Sequence, residues 1–314
     1  MKLARPNIFH PRIVLASCPQ LVDGDGDDEG LVGALRTRGL HARWMSWDDP
    51  RTETADLVIL RATWDYTDRR EEFLAWTTRV PNLLNAPAVV AWNSDKHYLR
   101  DLAAAGVPVV RSVFLEPGDS VNAADFSGEV VVKPAIGAGS IDTFRFVEAD
   151  AAAAHATTLL AAGRSALVQP YDQRIAAGET ALVFLGGEES HAFVKGPILP
   201  PQGEEPALDP SGTFAEESLT PADPDVELWE LGYNVLDAAS SHLGVARSEL
   251  LYARVDLIGT GDEALLLELE LIEPSLGWRQ LSDANRELRQ RSFAVHVEEA
   301  LDRLGLGPLS HRRP

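Results

Sequence analysis

Leu267-Glu268-Leu269-Glu270-Leu271-Ile272-Glu273-Pro274-Ser275 alternates leucine with glutamate until a proline stops the pattern. A period of two is the signature of a strand, and it places Glu268 and Glu270 on one face. Upstream, Tyr252-Ala253-Arg254-Val255-Asp256-Leu257 repeats the device, with Arg254 and Asp256 sharing a face. The two runs lie in apolar segments, 250–258 and 264–272, joined through Gly259-Thr260-Gly261, so they read as paired strands. If pairing brings the acids together, like charges ~4 Å apart cost about 4 kcal/mol per pair at an effective dielectric of ~20. A divalent cation removes that penalty. An all-oxygen set suits Mg²⁺ or Mn²⁺ bridging nucleotide phosphates, not zinc. The competing reading is an antiparallel sheet with one wet face.

The lysines point the same way. They are Lys2, Lys96, Lys133 and Lys195, while arginine supplies the remaining positive charge. Lys133 ends the run Val130-Val131-Val132-Lys133-Pro134, and Gly137-Ala138-Gly139-Ser140 follows directly. A strand-end lysine beside backbone that a ligand can approach closely makes a phosphate cradle. It is not a Walker A loop, because no Gly-Lys-Ser/Thr ending is present. Gly24-Asp25-Gly26-Asp27-Asp28-Glu29-Gly30 also departs from the dinucleotide fingerprint, and its carboxylates would oppose a pyrophosphate. That acidic segment reads as a solvated loop in preference to a ligand for a substrate ammonium.

Working outward, strands at 13–16, 40–44 and 56–60 alternate with helices at 30–38 and 69–79, which predicts a small parallel sheet. The apolar run 86–92 is strand-sized. Asn93 or Ser94 is placed to cap a helix through Ala105, followed by a strand around 107–110. Strands at 130–133, 144–146 and 166–169 around an alanine-rich helix at 149–162 predict an α+β unit. Gly186-Gly187 turns a hairpin of 179–185 and 190–195. Residues 199–221, dense in Pro, Gly, Asp and Glu, read as a long mobile loop. Helices are expected at 221–243 and from Ser282 to about residue 304, with a frayed tail. The expected divisions are 1–90, 91–170, 171–306 and a tail at 307–314.

Composition narrows the function classes. The chain has 314 residues, 45% hydrophobic and 24% charged, enough for one large core or two to three smaller ones. Its 48 acidic against 28 basic residues, a net charge of −20, oppose nucleic acid and an anionic bilayer. No apolar run approaches the ~20 residues that span a membrane, and no export signal is read at the start. One cysteine, Cys18, forms no internal disulfide and fits a reducing cytoplasm.

Taken in order, a lysine on a helix, a strand lysine with a small-residue loop, a hinge, then Arg-x-Asp and Glu-x-Glu, the chain resembles the ATP-grasp superfamily over about residues 57–280. Glu270 stands where that series usually has asparagine. Arg61-Ala62-Thr63-Trp64-Asp65-Tyr66, Lys133-Pro134 and the 268–275 run are similar to the branch of cyclo-ligases that form D-cycloserine from O-ureido-D-serine. The resemblance implies an α/β and α+β fold: a small parallel-sheet N-terminal domain and two α+β lobes enclosing ATP. It implies that Lys96 and Lys133 hold phosphates under a loop of Gly137, Gly139 and Ser140. Gln169 and Tyr171 then flank the adenine hinge, and Glu179 meets ribose or adenine. Lys195 and Arg254 are the catalytic cations, and Asp256, Glu268 and Glu270 the Mg²⁺ (or Mn²⁺) ligands. Arg61, Trp64, Asp65, Glu273 and Ser275 face an amino-acid-type small molecule. The implied reaction is carboxylate–amine ligation through an acyl phosphate, ring-closing or intermolecular, in specialised (antibiotic) metabolism. A phosphotransferase and a nucleotide-binding regulatory protein are the rivals; a homo-oligomer is compatible with either.

Overall fold

The structure, a computed structural model, describes residues 10–200, 204, 207 and 218–307. The chain enters on β1 (Arg12–Ser17), passes through α1 (Leu31–Thr37) to β2 (His41–Ser46), and continues to β3 (Leu57–Ala62). Then come α2 (Arg70–Thr77) and a two-residue β4 (Leu83–Leu84). These strands form one parallel sheet in the order β2-β1-β3-β4. Every residue of β3 is buried, as expected of a parallel strand covered on both faces. α1 ends as its sequence predicts: Gly39, at φ 85°, adopts the left-handed conformation just past the last turn and donates to Arg36 O.

The next segment differs from its reading. Residues 86–92 are not a strand; Pro87 occupies the first turn of helix α3 (Pro87–Asn93), where its fixed φ suits a helix start. Asn93 therefore ends a helix instead of capping the next one, α4 (Tyr98–Ala104), whose N-cap is His97. Lys96 lies in the turn between the two, not on a helix. The expected strand at 107–110 reduces to a bridge between Val109 and Leu266.

A second sheet contains β5 (Val113–Leu115), β6 (Val130–Pro134), β7 (Phe144–Phe146) and β8 (Ala166–Pro170), ordered β5-β8-β6-β7 with antiparallel pairing. Helix α5 (Ala149–Ala161) covers it, packing Ala152, Ala156, Leu159 and Leu160 against Val130, Val132 and Val168.

The third sheet has the order β11-β10-β9-β12-β13. Its strands are β9 (Glu179–Leu185), β10 (Glu188–Lys195), β11 (Leu219–Ala222), β12 (Tyr252–Ile258) and β13 (Leu265–Glu270). Helices α6 (Val226–Leu243) and α7 (Asp283–Arg303) complete the chain. The helix expected from 221 starts at 226, because residues 219–222 pair with β10. Most of the 199–221 loop and the tail from 308 lie outside the described residues. Among the described residues no helix is long and apolar enough to cross a membrane.

Alternation along β12 decides where the chemistry goes. Ala253, Val255 and Leu257 pack against Leu231, Val235 and Leu236 of α6, each buried valine or leucine contributing about 1.5–3 kcal/mol. Arg254 and Asp256 therefore point to the opposite face. β13 follows in antiparallel register, with Arg254 opposite Glu270 and Asp256 opposite Glu268.

Candidate active site

A cleft of about 550 Å³ opens where the three sheets face one another. From β13 it receives Glu268 and Glu270; from the turn before α4, Lys96; from β6, Lys133. Lys96 Nζ lies 3.0 Å from Glu268 Oε1 and donates to Gly137 O at 2.7 Å, while Lys133 Nζ stands 3.8 Å from Glu268 Oε2. Burial works to raise the Glu268 pKa, but Lys96, Lys133 and Lys195 outweigh it and hold the carboxyl at about 2. Burial lowers the Lys133 ammonium against the pull of Glu268. A carboxylate thus occupies the attention of two lysines in the way a phosphate would.

The loop after β6 folds over this group. Gly137, Gly139 and Ser140 all line the cleft, and Gly139 and Ser140 both have positive φ, 62° and 59°. A side chain at Gly137 would bring its Cβ to 2.9 Å from Pro134 Cγ, so glycine permits the close turn beneath the loop. Gln169 and Tyr171 line the same cleft at the end of β8, with Gln169 Nε2 donating to Ser112 Oγ at 3.0 Å. The Arg145 guanidinium lies 3.6 Å from the centroid of the Tyr171 ring and holds it.

On the far wall, Lys195 Nζ bridges Asp256 Oδ2 at 2.6 Å and Glu179 Oε2 at 3.0 Å. Arg254 grips both Asp256 oxygens, at 2.9 and 3.0 Å, and also binds Glu270 and the Ser275 carbonyl. Burial, against Arg254 but with Asp256 and Glu268, pushes the Glu270 carboxyl up to about 7. Burial, reinforced by Glu270, raises Glu273 well above the carboxylate range.

Three expected site residues lie elsewhere. Asp256 is fully buried and does not line the cleft; Lys195 and Arg254 take its oxygens, so it orients cations instead of facing the ligand space. Arg61, expected to meet a substrate carboxylate, is 1% exposed: Nε pairs with Asp28 at 2.8 Å and Nη2 donates to Pro274 O at 2.7 Å. Asp65 accepts from Trp47 Nε1 at 2.7 Å and pairs with Arg69, outside the cleft. Trp64, Tyr66, Glu273 and Ser275 do line it.

The cleft also contains residues that sequence reasoning passed over. Asp25 and Asp27, read as part of a solvated loop, line it, and Asp28 behind them is buried. Asn93, read as a cap, pairs with the free edge of β13: its Nδ2 donates to Leu269 O at 2.8 Å and its Oδ1 accepts from Leu271 N at 2.7 Å. Tyr98 Oη accepts from Leu269 N at 3.0 Å, and the Val109 bridge continues the same edge at Leu266. Side chains thereby act as the missing neighbour strand around Glu270. Asn93→Ala, which leaves a buried N–H and C=O unpaired, is expected to cost about 1–3 kcal/mol. Urea denaturation checks this: the midpoint should fall at constant slope.

The donor set fits magnesium. Glu268 and Glu270 are hard oxygen donors on one strand face, and Glu273 Oε2 is a buried oxygen with no hydrogen-bond partner. Among the described residues no group of three or more side chains makes a protein-only metal cage. Two carboxylates completed by phosphate and water are the usual arrangement for that ion.

Comparison with known proteins agrees with this geometry. Residues 13–85 match the model of the D-cycloserine synthetase DcsG N-terminal domain. The cycloserine biosynthesis protein DcsG of Streptomyces lavendulae is 36% identical over 271 residues, covering 80% of this chain and 88% of that one. The chain belongs to the DcsG branch of the ATP-grasp ligases. The crystal structure of D-cycloserine synthetase DcsG superposes with a TM-score of 0.79 at 32% identity, covering 92% of this chain and 99% of that one. The D-alanine–D-alanine ligase of Bacillus anthracis complexed with ATP shares the fold, with a TM-score of 0.64 at 12% identity over 94% of this chain and 98% of that one. Membership carries the ATP-grasp architecture, including the small parallel sheet at the front of the chain.

Proposed function

We propose that the chain is an ATP-dependent carbon–nitrogen ligase that closes a ring on an O-substituted serine, releasing ADP and phosphate. The observation that carries this reading is the convergence of Lys96, Lys133 and Arg254 on the Glu268–Glu270 face across one cleft. The relatives named for D-cycloserine support the ring-closing form over intermolecular joining. On this reading residues 1–90 serve the acceptor, and 91–170 and 171–306 are the lobes around ATP.

Lys96 and Lys133 exchange Glu268 for the phosphates, and the 137–140 loop covers them. The Gln169–Tyr171 corner takes the adenine edge, with Glu179 near the ribose. Glu268 and Glu270 would hold Mg²⁺, with Glu273 nearby, and the ion would supply positive charge against the phosphates. A substrate carboxylate oxygen attacks the γ-phosphorus as the bond to ADP breaks, giving an acyl phosphate. A nitrogen lone pair then attacks the acyl carbon, the bond to phosphate breaks, and the nitrogen loses its proton. Arg254, held at both ends by Asp256 and Glu270, is positioned to stabilise the oxyanion of that step, while Lys195 meets the transferring phosphoryl group. Trp64 and Ser275 bound the acceptor side.

The test is a phosphate-release screen over amino acids and O-substituted serines, O-ureido-D-serine included, with hydroxylamine to trap acyl phosphate. Release that depends on the amino acid, with a cyclic amide detected by mass spectrometry, is the expected result. A stable phosphorylated product without an amide selects the phosphotransferase, and nucleotide binding without turnover selects the regulatory protein.

A further inference from the structure

The turn that carries Lys96 is fastened on two sides. Toward the third sheet, Asn93 and Tyr98 flank it and bond the edge of β13 at Leu269 and Leu271. Toward the second sheet, Lys96 N donates to Ala135 O at 2.8 Å, and His97 reaches further. Its Nδ1 lies 2.5 Å from Asp95 Oδ1, and its Nε2 lies 2.9 Å from Glu116 Oε1, just past β5. A carboxylate only accepts, so each contact is a hydrogen bond when that ring nitrogen carries a proton. Glu116 is tied in turn: its Oε2 accepts from Ser165 Oγ at 2.6 Å, just ahead of β8, and the Ser165 carbonyl accepts from Ala135 N at 2.9 Å. Ser165, helped by His97 and opposed by burial, holds the Glu116 carboxyl below its ordinary range. The imidazole also stacks on Phe114 of β5, with ring centroids 4.1 Å apart. These bonds close a circuit: Lys96 to Ala135, Ala135 to Ser165, Ser165 to Glu116, Glu116 to His97, and back to Lys96 through the peptide bond.

We propose that His97 is a positioning residue for nucleotide binding: its bridge to Glu116 sets the spacing of Lys96 from Lys133. The role rests on the assignment of both lysines to phosphates in the ligase reading above, and deepens it. The two ammonium groups approach one carboxylate, Glu268, at 3.0 and 3.8 Å, but they come from different parts of the fold. Lys133 belongs to β6 in the second sheet, whereas the Lys96 turn is bonded to the edge of β13 in the third. Their separation therefore depends on how the two sheets are joined, and the circuit through His97 joins them beside the lysine itself. Opening it at the imidazole leaves the Ala135 bond as the circuit's remaining hold on the Lys96 backbone, about which the turn can pivot. Stacking on Phe114 is the competing role for the ring. The two roles differ in which substitution they tolerate, because phenylalanine keeps the stack and loses the donors, while glutamine does the reverse.

The test is calorimetric titration of the full chain with ADP and Mg²⁺, with thermal midpoints to confirm folding and the phosphate-release screen run in parallel. His97→Phe should bind ADP about 10-fold more weakly, the worth of one charge-assisted hydrogen bond at a half-exposed site. His97→Gln, which keeps an N–H for Glu116, should stay within about 3-fold of wild type. In a Lys96→Met background, adding His97→Phe should change the affinity by less than about 2-fold, because the lysine that the bridge places is gone. Glu116→Ala opens the circuit from its exposed end and should match the loss in His97→Phe, and it takes that variant's place if His97→Phe does not fold. Wild-type ADP affinity in both His97→Phe and Glu116→Ala overturns the proposal. So does an equal loss with and without Lys96, which would make the residue a general support of the fold. A greater loss in His97→Gln than in His97→Phe assigns the ring to stacking and overturns it too. Failure of the wild type to bind ADP sinks both this role and the ligase reading. The expected pattern of affinities, without phosphate release on any amino acid, leaves the role of His97 standing and sinks the ligase reading alone.

Discussion

Glu268→Gln should reduce ATP-dependent phosphate release by about 10²- to 10³-fold, the size of a lost metal contact worth several kcal/mol in the transition state. The side chain has two partners whose demands conflict. Without nucleotide it is the counter-charge of Lys96 and Lys133. With nucleotide those lysines turn to phosphate, and the carboxylate is free for the ion. The amide therefore has opposite effects on two affinities. In the absence of Mg²⁺, ADP should bind as tightly as to wild type or more tightly, because nothing competes for the lysines. The extra affinity that Mg²⁺ confers on the wild type should disappear. Calorimetry with ADP, with and without Mg²⁺, reads both. If the variant keeps the full Mg²⁺-dependent gain, Glu268 is not a metal ligand and the polarity assigned to the cleft is wrong.

The parts of this site that could be read from the sequence were those written in local periodicity. Alternation alone put Glu268 and Glu270 on one face, and the arrest of a β-branched run by Lys133-Pro134 marked the glycine loop that lines the cleft. Such patterns depend on neighbours in the chain, and the structure keeps them. Residues whose role depends on a distant partner were misread. Asp256 shares its face with Arg254, as alternation requires, yet Lys195 and Arg254 use up its oxygens, and no spacing rule announces an ion pair across 61 residues. Arg61 follows four buried residues of β3 and looked poised at a strand end. Its partner Asp28 lies 33 residues earlier in a loop whose charge suggested solvent. Asn93 was assigned to capping because asparagine at a helix start is a local signal, whereas its actual bonds reach the edge of β13, 176 and 178 residues away. The 24–30 loop illustrates the same limit: composition gave its charge, but only the fold shows that Asp28 anchors it against Arg61 and Trp278.

Arg254→Met should produce the second large effect, and here stability and chemistry must be separated. The guanidinium is 3% exposed and makes bonds to Asp256, Glu270 and the Ser275 carbonyl. Removing it strands part of a fully buried carboxylate, for which about 3–5 kcal/mol of destabilisation is expected. The thermal midpoint should fall by roughly 10 °C. Phosphate release coupled to amide formation should fall by about 10³-fold, the scale of a lost oxyanion donor. The double variant Arg254→Met, Asp256→Asn distinguishes the two losses. Its neutral amide no longer needs the guanidinium, Lys195 retains Glu179 at 3.0 Å, and Glu270, already pushed up to about 7 by burial, can remain protonated. Most of the lost stability should therefore return while turnover stays low. Recovery of turnover together with the thermal midpoint would make Arg254 a scaffold for Asp256 and deny it a part in the reaction.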